Sequence, residues 1–179
     1  MPEHLSRACE IDSSLDLILL RHGEAGNRVP AASKDYERSL TASGKSAVEE
    51  IAKSIESLKL GIDCLASSPL ARALETARIV AKELGKTKEL EVWDELKPES
   101  DIEELYSRLR RFKMESSVLL VGHEPYLGFL ISDLISGSPR ARVALKKAGM
   151  AKLVVSSLTP RATGELRWLL TPKQIRNLS

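Results

Sequence analysis

Leu15-Asp16-Leu17-Ile18-Leu19-Leu20-Arg21-His22-Gly23-Glu24-Ala25 decides the fold. An apolar run of strand length breaks at once into a cation, an imidazole and a glycine. A short run without polar alternation marks a strand covered on both faces, as in a parallel sheet between layers of helices. The pattern recurs where Ile62 to Ala66 leads into Ser67-Ser68-Pro69, and where Val118 to Val121 leads into Gly122-His123-Glu124-Pro125.

Amphipathic helices follow these runs. Thr41 can cap one whose apolar positions Val48, Ile51, Ile55 and Leu58 fall at helical spacing, ending near Gly61. Ser68 is read as an N-cap with Pro69 at the first helical position, and Leu70, Ala73, Leu74, Ala77, Val80 and Leu84 as one face that stops at Gly85. A weaker strand from Leu90 to Trp93 precedes a helix from about Asp101 to Phe112, and Leu127 to Leu134 forms another, closed by Gly137. The last two strands, Ala151 to Leu158 and Glu165 to Thr171, read as an edge hairpin. The expectation is a three-layer α/β domain over 15–179, with a central, mainly parallel sheet and a C-terminal hairpin, after an N-terminal tail at 1–14.

The chain has 179 residues, one domain's worth at roughly 150 per domain. Lys and Arg exceed Asp and Glu by only two, and aromatics make up 4%, which disfavours nucleic acid as a partner. The apolar runs are too short to span a membrane. Cys9 and Cys64 have neither disulfide nor zinc spacing. A cytoplasmic monomer without metal or cofactor is expected.

Ligands of open α/β sheets bind beyond the carboxyl ends of the strands. Arg21, His22, Ser67, Arg72 and His123 all fall just past such ends, two of the three histidines among them. Arg72 opposes the dipole of its helix at a cost of a few tenths of a kcal/mol, which a bound anion would reverse. Gly44-Lys45-Ser46 imitates a P-loop, but position 39 is Ser and no strand precedes it. His4 lies in the polar tail and reads as surface.

Leu20-Arg21-His22-Gly23-Glu24-Ala25 resembles the Arg-His-Gly signature of the histidine phosphatase, or phosphoglycerate mutase-like, superfamily. The likeness continues through Leu40-Thr41-Ala42-Ser43-Gly44, Ser67 to Ala73 with Thr76-Ala77, and Val121-Gly122-His123-Glu124. Glu95-Leu96-Lys97-Pro98 with Asp101, Glu124-Pro125 and the stretch from Trp168 to Pro172 make the chain most similar to the small phosphohistidine phosphatases. The resemblance implies that His22 is the nucleophile, that Arg21, Arg72 and His123 bind the phosphoryl group, and that no metal is needed. The general acid stays open among Glu95, Glu99, Asp101 and Glu124, with Glu124 and Glu95 named first. Asp101 also reads as an N-cap, and Glu24 as either orienting a site arginine or capping its turn. Asn27 stands one residue too early for the mutase motif.

The expected partner is a phosphohistidine-bearing protein. A small phosphorylated substrate, turned over by a phosphatase or mutase of the same superfamily, is the alternative. A non-catalytic phosphoprotein-binding module is the third reading.

Overall fold

The computed structural model describes residues 13–27 and 35–177. Most of the tail, with His4 and Cys9, and the middle of the connection between Ala25 and Leu40 lie outside the described residues. Strand β1 (Leu15–Arg21) is followed by α1 (Ala42–Ser57), β2 (Cys64–Ser67), α2 (Ala71–Glu83) and β3 (Leu90–Val92). A 3-10 turn at Asp94–Leu96 leads to α3 (Ile102–Leu109), β4 (Ser117–Gly122), α4 (Tyr126–Ser136), β5 (Met150–Ser157), β6 (Thr163–Leu170) and α5 (Pro172–Arg176).

The strands form one sheet in the order β3-β2-β4-β1-β5-β6. The first four in that order are parallel, and β5 and β6 add antiparallel as the expected edge hairpin. Side chains alternate across a strand, so β1 divides its apolar run between two cores. Leu17 and Leu19 join Leu105, Leu127 and Leu130 beneath α3 and α4. Ile18 and Leu20 join Val48, Ile51, Ala73 and Ala77 beneath α1 and α2. Strand β4 does the same with Leu120 on one side and Leu119 and Val121 on the other. This two-sided burial is why neither run shows polar alternation.

Register positions the site. Arg21 pairs with Gly122 across β1 and β4, so His22 and His123 leave the sheet at the same level. The His22 amide donates to Gly122 O at 3.1 Å, and the Ser68 amide donates to Val121 O at 3.0 Å, which brings the end of β2 to that level as well.

Thr41 caps α1 by accepting from the Gly44 amide, and Asp101 caps α3 by accepting from the Glu103 amide. The expected cap at Ser68 is corrected: α2 begins at Ala71 with Leu70 as its N-cap, and Leu70 makes no side-chain cap bond. The main chain bends at Pro69 and Leu70 before α2, and the Ser68 hydroxyl lies 2.9 Å from His123 Nε2. Helix α3 ends at Leu109, three residues before the expected Phe112. Strand β6 ends at Leu170, one residue before the expected Thr171, and α5, for which no helix was expected, follows it. Thr171 and Gln174 form a capping box there, with Pro172 in the first turn. No helix among the described residues is long and apolar enough to cross a membrane.

Candidate active site

The turn after β1 is clamped by both helices of its face. A Cβ on Gly23 would lie 2.6 Å from Val48 Cγ2, and one on Gly44 would lie 2.1 Å from Glu24 O. Only hydrogen fits at either position, so α1 packs directly on the turn. From α2, Thr76 Oγ1 accepts from the Gly23 amide at 3.0 Å and donates to Arg72 O at 2.7 Å. The Gly44 and Thr76 blocks of the sequence thus fix His22 from behind.

His22 is 6% exposed and its Nδ1 lies 2.7 Å from Gly23 O. A carbonyl only accepts, so Nδ1 carries the proton and Nε2 keeps a lone pair. Burial lowers the His22 pKa to about 4, and the neighbouring Arg72 and Arg21 act in the same direction. The ring is therefore neutral near pH 7, as a nucleophile requires. The His123 ring centroid stands 5.1 Å from that of His22. Burial, then the adjacent His22, lowers its pKa as well. Its Nε2 meets the Ser68 hydroxyl, while its Nδ1 is buried with no hydrogen-bond partner among the described residues. Arg21 Nε is a second buried donor without one.

The guanidinium groups are held from outside the sheet. Arg21 Nη1 donates to Leu145 O at 2.7 Å, and burial lowers the pKa of this arginine while Glu124 opposes the shift. Arg72 is 5% exposed; its Nη1 donates to Asp35 O at 2.8 Å and its Nη2 lies 3.3 Å from Asp35 Oδ2. Asp35 Oδ1 also accepts from Arg38 Nε at 3.1 Å, and Arg38 Nη1 reaches Gly26 O at 2.8 Å. Sequence reasoning missed Asp35 and Arg38. They lie in the longest connection, where no periodicity or cap singles them out.

Arg21, His22, Asp35, Arg38, Arg72 and His123 line one cavity of about 760 Å³, together with Glu124 and Lys147. Glu124 Oε1 accepts from the Leu145 amide at 2.8 Å, and Oε2 faces Gly128. Burial raises the Glu124 pKa, and its backbone bonds and Arg21 oppose that. Glu95 is not brought in: Arg108 Nη1 holds its carboxylate at 3.1 Å, off the cavity. Asp101 is the α3 cap. Ser67 is fully buried in β2 and donates to Ser68 O, so Ser68 is the residue of that pair that reaches the site. Glu24 pairs with Lys147 at 3.3 Å and orients no site arginine. Glu99 is on the rim, hydrogen-bonded by the Tyr36 hydroxyl.

Three guanidinium groups and two neutral imidazoles around one cavity suit a phosphoryl group, whose transfer depends mainly on alignment and charge neutralisation. The fold and this site define a class of phosphoryl-handling α/β proteins. Residues 17–105 match the model of the histidine phosphatase superfamily, branch 1. An uncharacterized protein of Picosynechococcus sp. strain PCC 7002 is 31% identical over 164 residues, covering 89% of this chain and 98% of the relative. The chain belongs to the histidine phosphatase superfamily, and phosphatase chemistry is the activity that membership assigns. Phosphohistidine phosphatase SixA of Escherichia coli is 26% identical over 164 residues, 90% of this chain and 97% of that protein. The structure of the protein histidine phosphatase SixA complexed with tungstate aligns with a TM-score of 0.77 at 26% identity, covering 92% of this chain and 99% of that one.

Proposed function

We propose that the chain is a metal-independent phosphohistidine phosphatase working through a phosphoryl group on His22. His22 Nε2 attacks phosphorus as the bond from phosphorus to the substrate imidazole breaks, and the leaving imidazole departs with a proton taken from solvent. Water then attacks phosphorus, the bond to Nε2 breaks, and inorganic phosphate leaves. Nδ1–H stays on Gly23 O throughout, so the ring keeps one tautomer. Arg21, Arg72 and His123 Nδ1–H face the phosphoryl oxygens. Donation from the Ser68 hydroxyl to Nε2 sets that His123 tautomer.

The observation that carries the substrate class concerns the carboxylates. Among the described residues the cavity is lined by three, and each is engaged: Asp35 by Arg38 and Arg72, Glu99 by Tyr36, and Glu124 by the Leu145 amide. An ester leaves as a strongly basic alkoxide and needs a proton donor, whereas imidazole is a far weaker base and can leave with little help. A pocket rich in cations but poor in available acids fits a phosphoramidate. The likeness to SixA supports the same reading. On this reading Glu124 is a positioning residue: it holds Leu145, whose carbonyl holds Arg21.

The test is phosphate release in EDTA from a phosphohistidine-bearing protein and from a simple phosphate ester, by wild type and His22→Ala. Release from phosphohistidine that vanishes in the variant is expected. Faster release from the ester would move the function to small metabolites.

A further inference from the structure

Residues 137–149 carry Arg140, Arg142, Lys146 and Lys147 and no acidic residue. The whole chain has a net charge of only +2, so the remainder carries two more acids than bases. This excess is fixed beside the active site. The Leu145 amide bonds Glu124, the Leu145 carbonyl bonds Arg21, and the Ala148 amide donates to both Arg21 O and His22 O at 3.1 Å. Farther along, a Cβ on Gly128 would lie 2.2 Å from Val143 O, and the Ala141 amide donates to Ser132 Oγ at 2.8 Å. The segment is therefore a strap laid along α4, touching it at Gly128 and again one turn later at Ser132. Its inward residues Leu145 and Ala148 are buried, while all four cations are exposed. Lys147 pairs with Glu24 at the cavity edge, and among the described residues Arg140, Arg142 and Lys146 have no acidic partner.

We infer that the strap is a docking surface for an acidic protein segment flanking the phosphohistidine, an assignment that rests on the substrate class proposed above. The four residues from Gly128 to Ser132 rise about 6 Å along α4 at about 1.5 Å each, so the strap carries its cations over about that distance along the helix. An extended peptide covers that distance in about two residues. Carboxylates within four residues of a phosphohistidine seated in the cavity would lie over Lys146, Arg142 and Arg140. A basic patch beside a site attracts such a partner and speeds encounter, without altering the chemical step.

The experiment compares two phosphohistidine peptides, one with glutamates within four residues of the phosphohistidine and one with serines there, together with phosphoramidate as a small probe. Wild type is expected to favour the glutamate peptide in kcat/KM, with a preference that shrinks as salt rises. Arg140→Glu/Arg142→Glu should lower kcat/KM for that peptide by about tenfold, through KM, and leave phosphoramidate turnover unchanged. Arg140→Gln/Arg142→Gln should fall between. Equal losses on all three substrates, or no preference in wild type, would overturn the assignment. Tighter binding of single-stranded RNA than of the glutamate peptide would also overturn it. Binding of the unphosphorylated glutamate peptide, followed by fluorescence anisotropy, tests the strap even if no phosphohistidine is hydrolysed. Salt-sensitive binding lost in the double Glu variant would uphold the surface while the substrate reading alone failed.

Discussion

Two regions reach the same cavity by different physical means. The turns carrying His22 and His123 are set by strand register: Arg21 pairs with Gly122, and both strands are buried between helix layers. Residues 35–38 arrive from a long connection and are held by charge, with one Asp35 carboxylate shared between Arg38 and Arg72. The backbone ladder fixes the level at which the two imidazoles leave the sheet. The charge network converges on a single carboxylate. The difference teaches that, on the proposed mechanism, nucleophile and phosphoryl clamp can fail separately.

The largest expected effect falls on the strand-end pair. Both histidines are neutral in the fold, with pKa values depressed by burial, so the native state resists the proton that the unfolded chain takes up near 6.5. Stability from these rings is present above that pH and lost as pH falls towards about 4 for His22. Each ring accounts for about 2 kcal/mol between pH 7 and pH 5, on the order of 4 kcal/mol together. Urea unfolding at the two pH values measures this. His123→Gln should remove about half of the difference, and a difference left whole in that variant would contradict burial of this ring as its source.

Next comes the clamp. Arg72→Ala should lower kcat by at least a hundredfold, about 3 kcal/mol of barrier, while the far-UV circular dichroism stays that of wild type. Turnover near that of wild type would remove Arg72 from the site. Asp35→Asn keeps the shape but drops the charge that Arg38 and Arg72 share. It should cost about tenfold in kcat/KM. Asp35→Glu should restore part of it, which a purely structural aspartate would not allow. The smallest effect is at Glu124. If it positions Arg21 through Leu145, Glu124→Gln keeps an acceptor for the Leu145 amide and loses only about threefold. A general acid would lose about a hundredfold or more and flatten the basic limb of the pH profile.

The same division explains what the sequence disclosed. The runs at β1 and β4 were legible because burial on both faces removes polar alternation, and the residues just past them could be placed without knowing any contact. Arg72 was legible as a cation opposing its helix dipole. Gly44 and Thr76 were legible only as parts of a resemblance, and the structure supplies their physical reason in the packing against Gly23 and Glu24. Asp35 and Arg38 carried no local signal, since a pair three residues apart in a loop looks like any surface pair. Ser68 misled because serine before proline is a common helix start, and nothing local reveals that its hydroxyl is wanted by a histidine 55 residues away. Glu95 misled in the opposite way, as a carboxylate near a matching block that Arg108 holds off the cavity. The helix after Thr171 was missed although Thr171-Pro172-Lys173-Gln174 is a capping-box pattern, because Thr171 reads as the last residue of the preceding strand.

The central claim is that His22 carries the phosphoryl group. The direct measurement mixes the enzyme with phosphorus-labelled phosphohistidine substrate, quenches it in alkali within milliseconds and follows label on the protein. Label on wild type that survives alkali, is released by acid and is missing from His22→Ala is the predicted result. Phosphate release at full rate from the His22→Ala variant would contradict it.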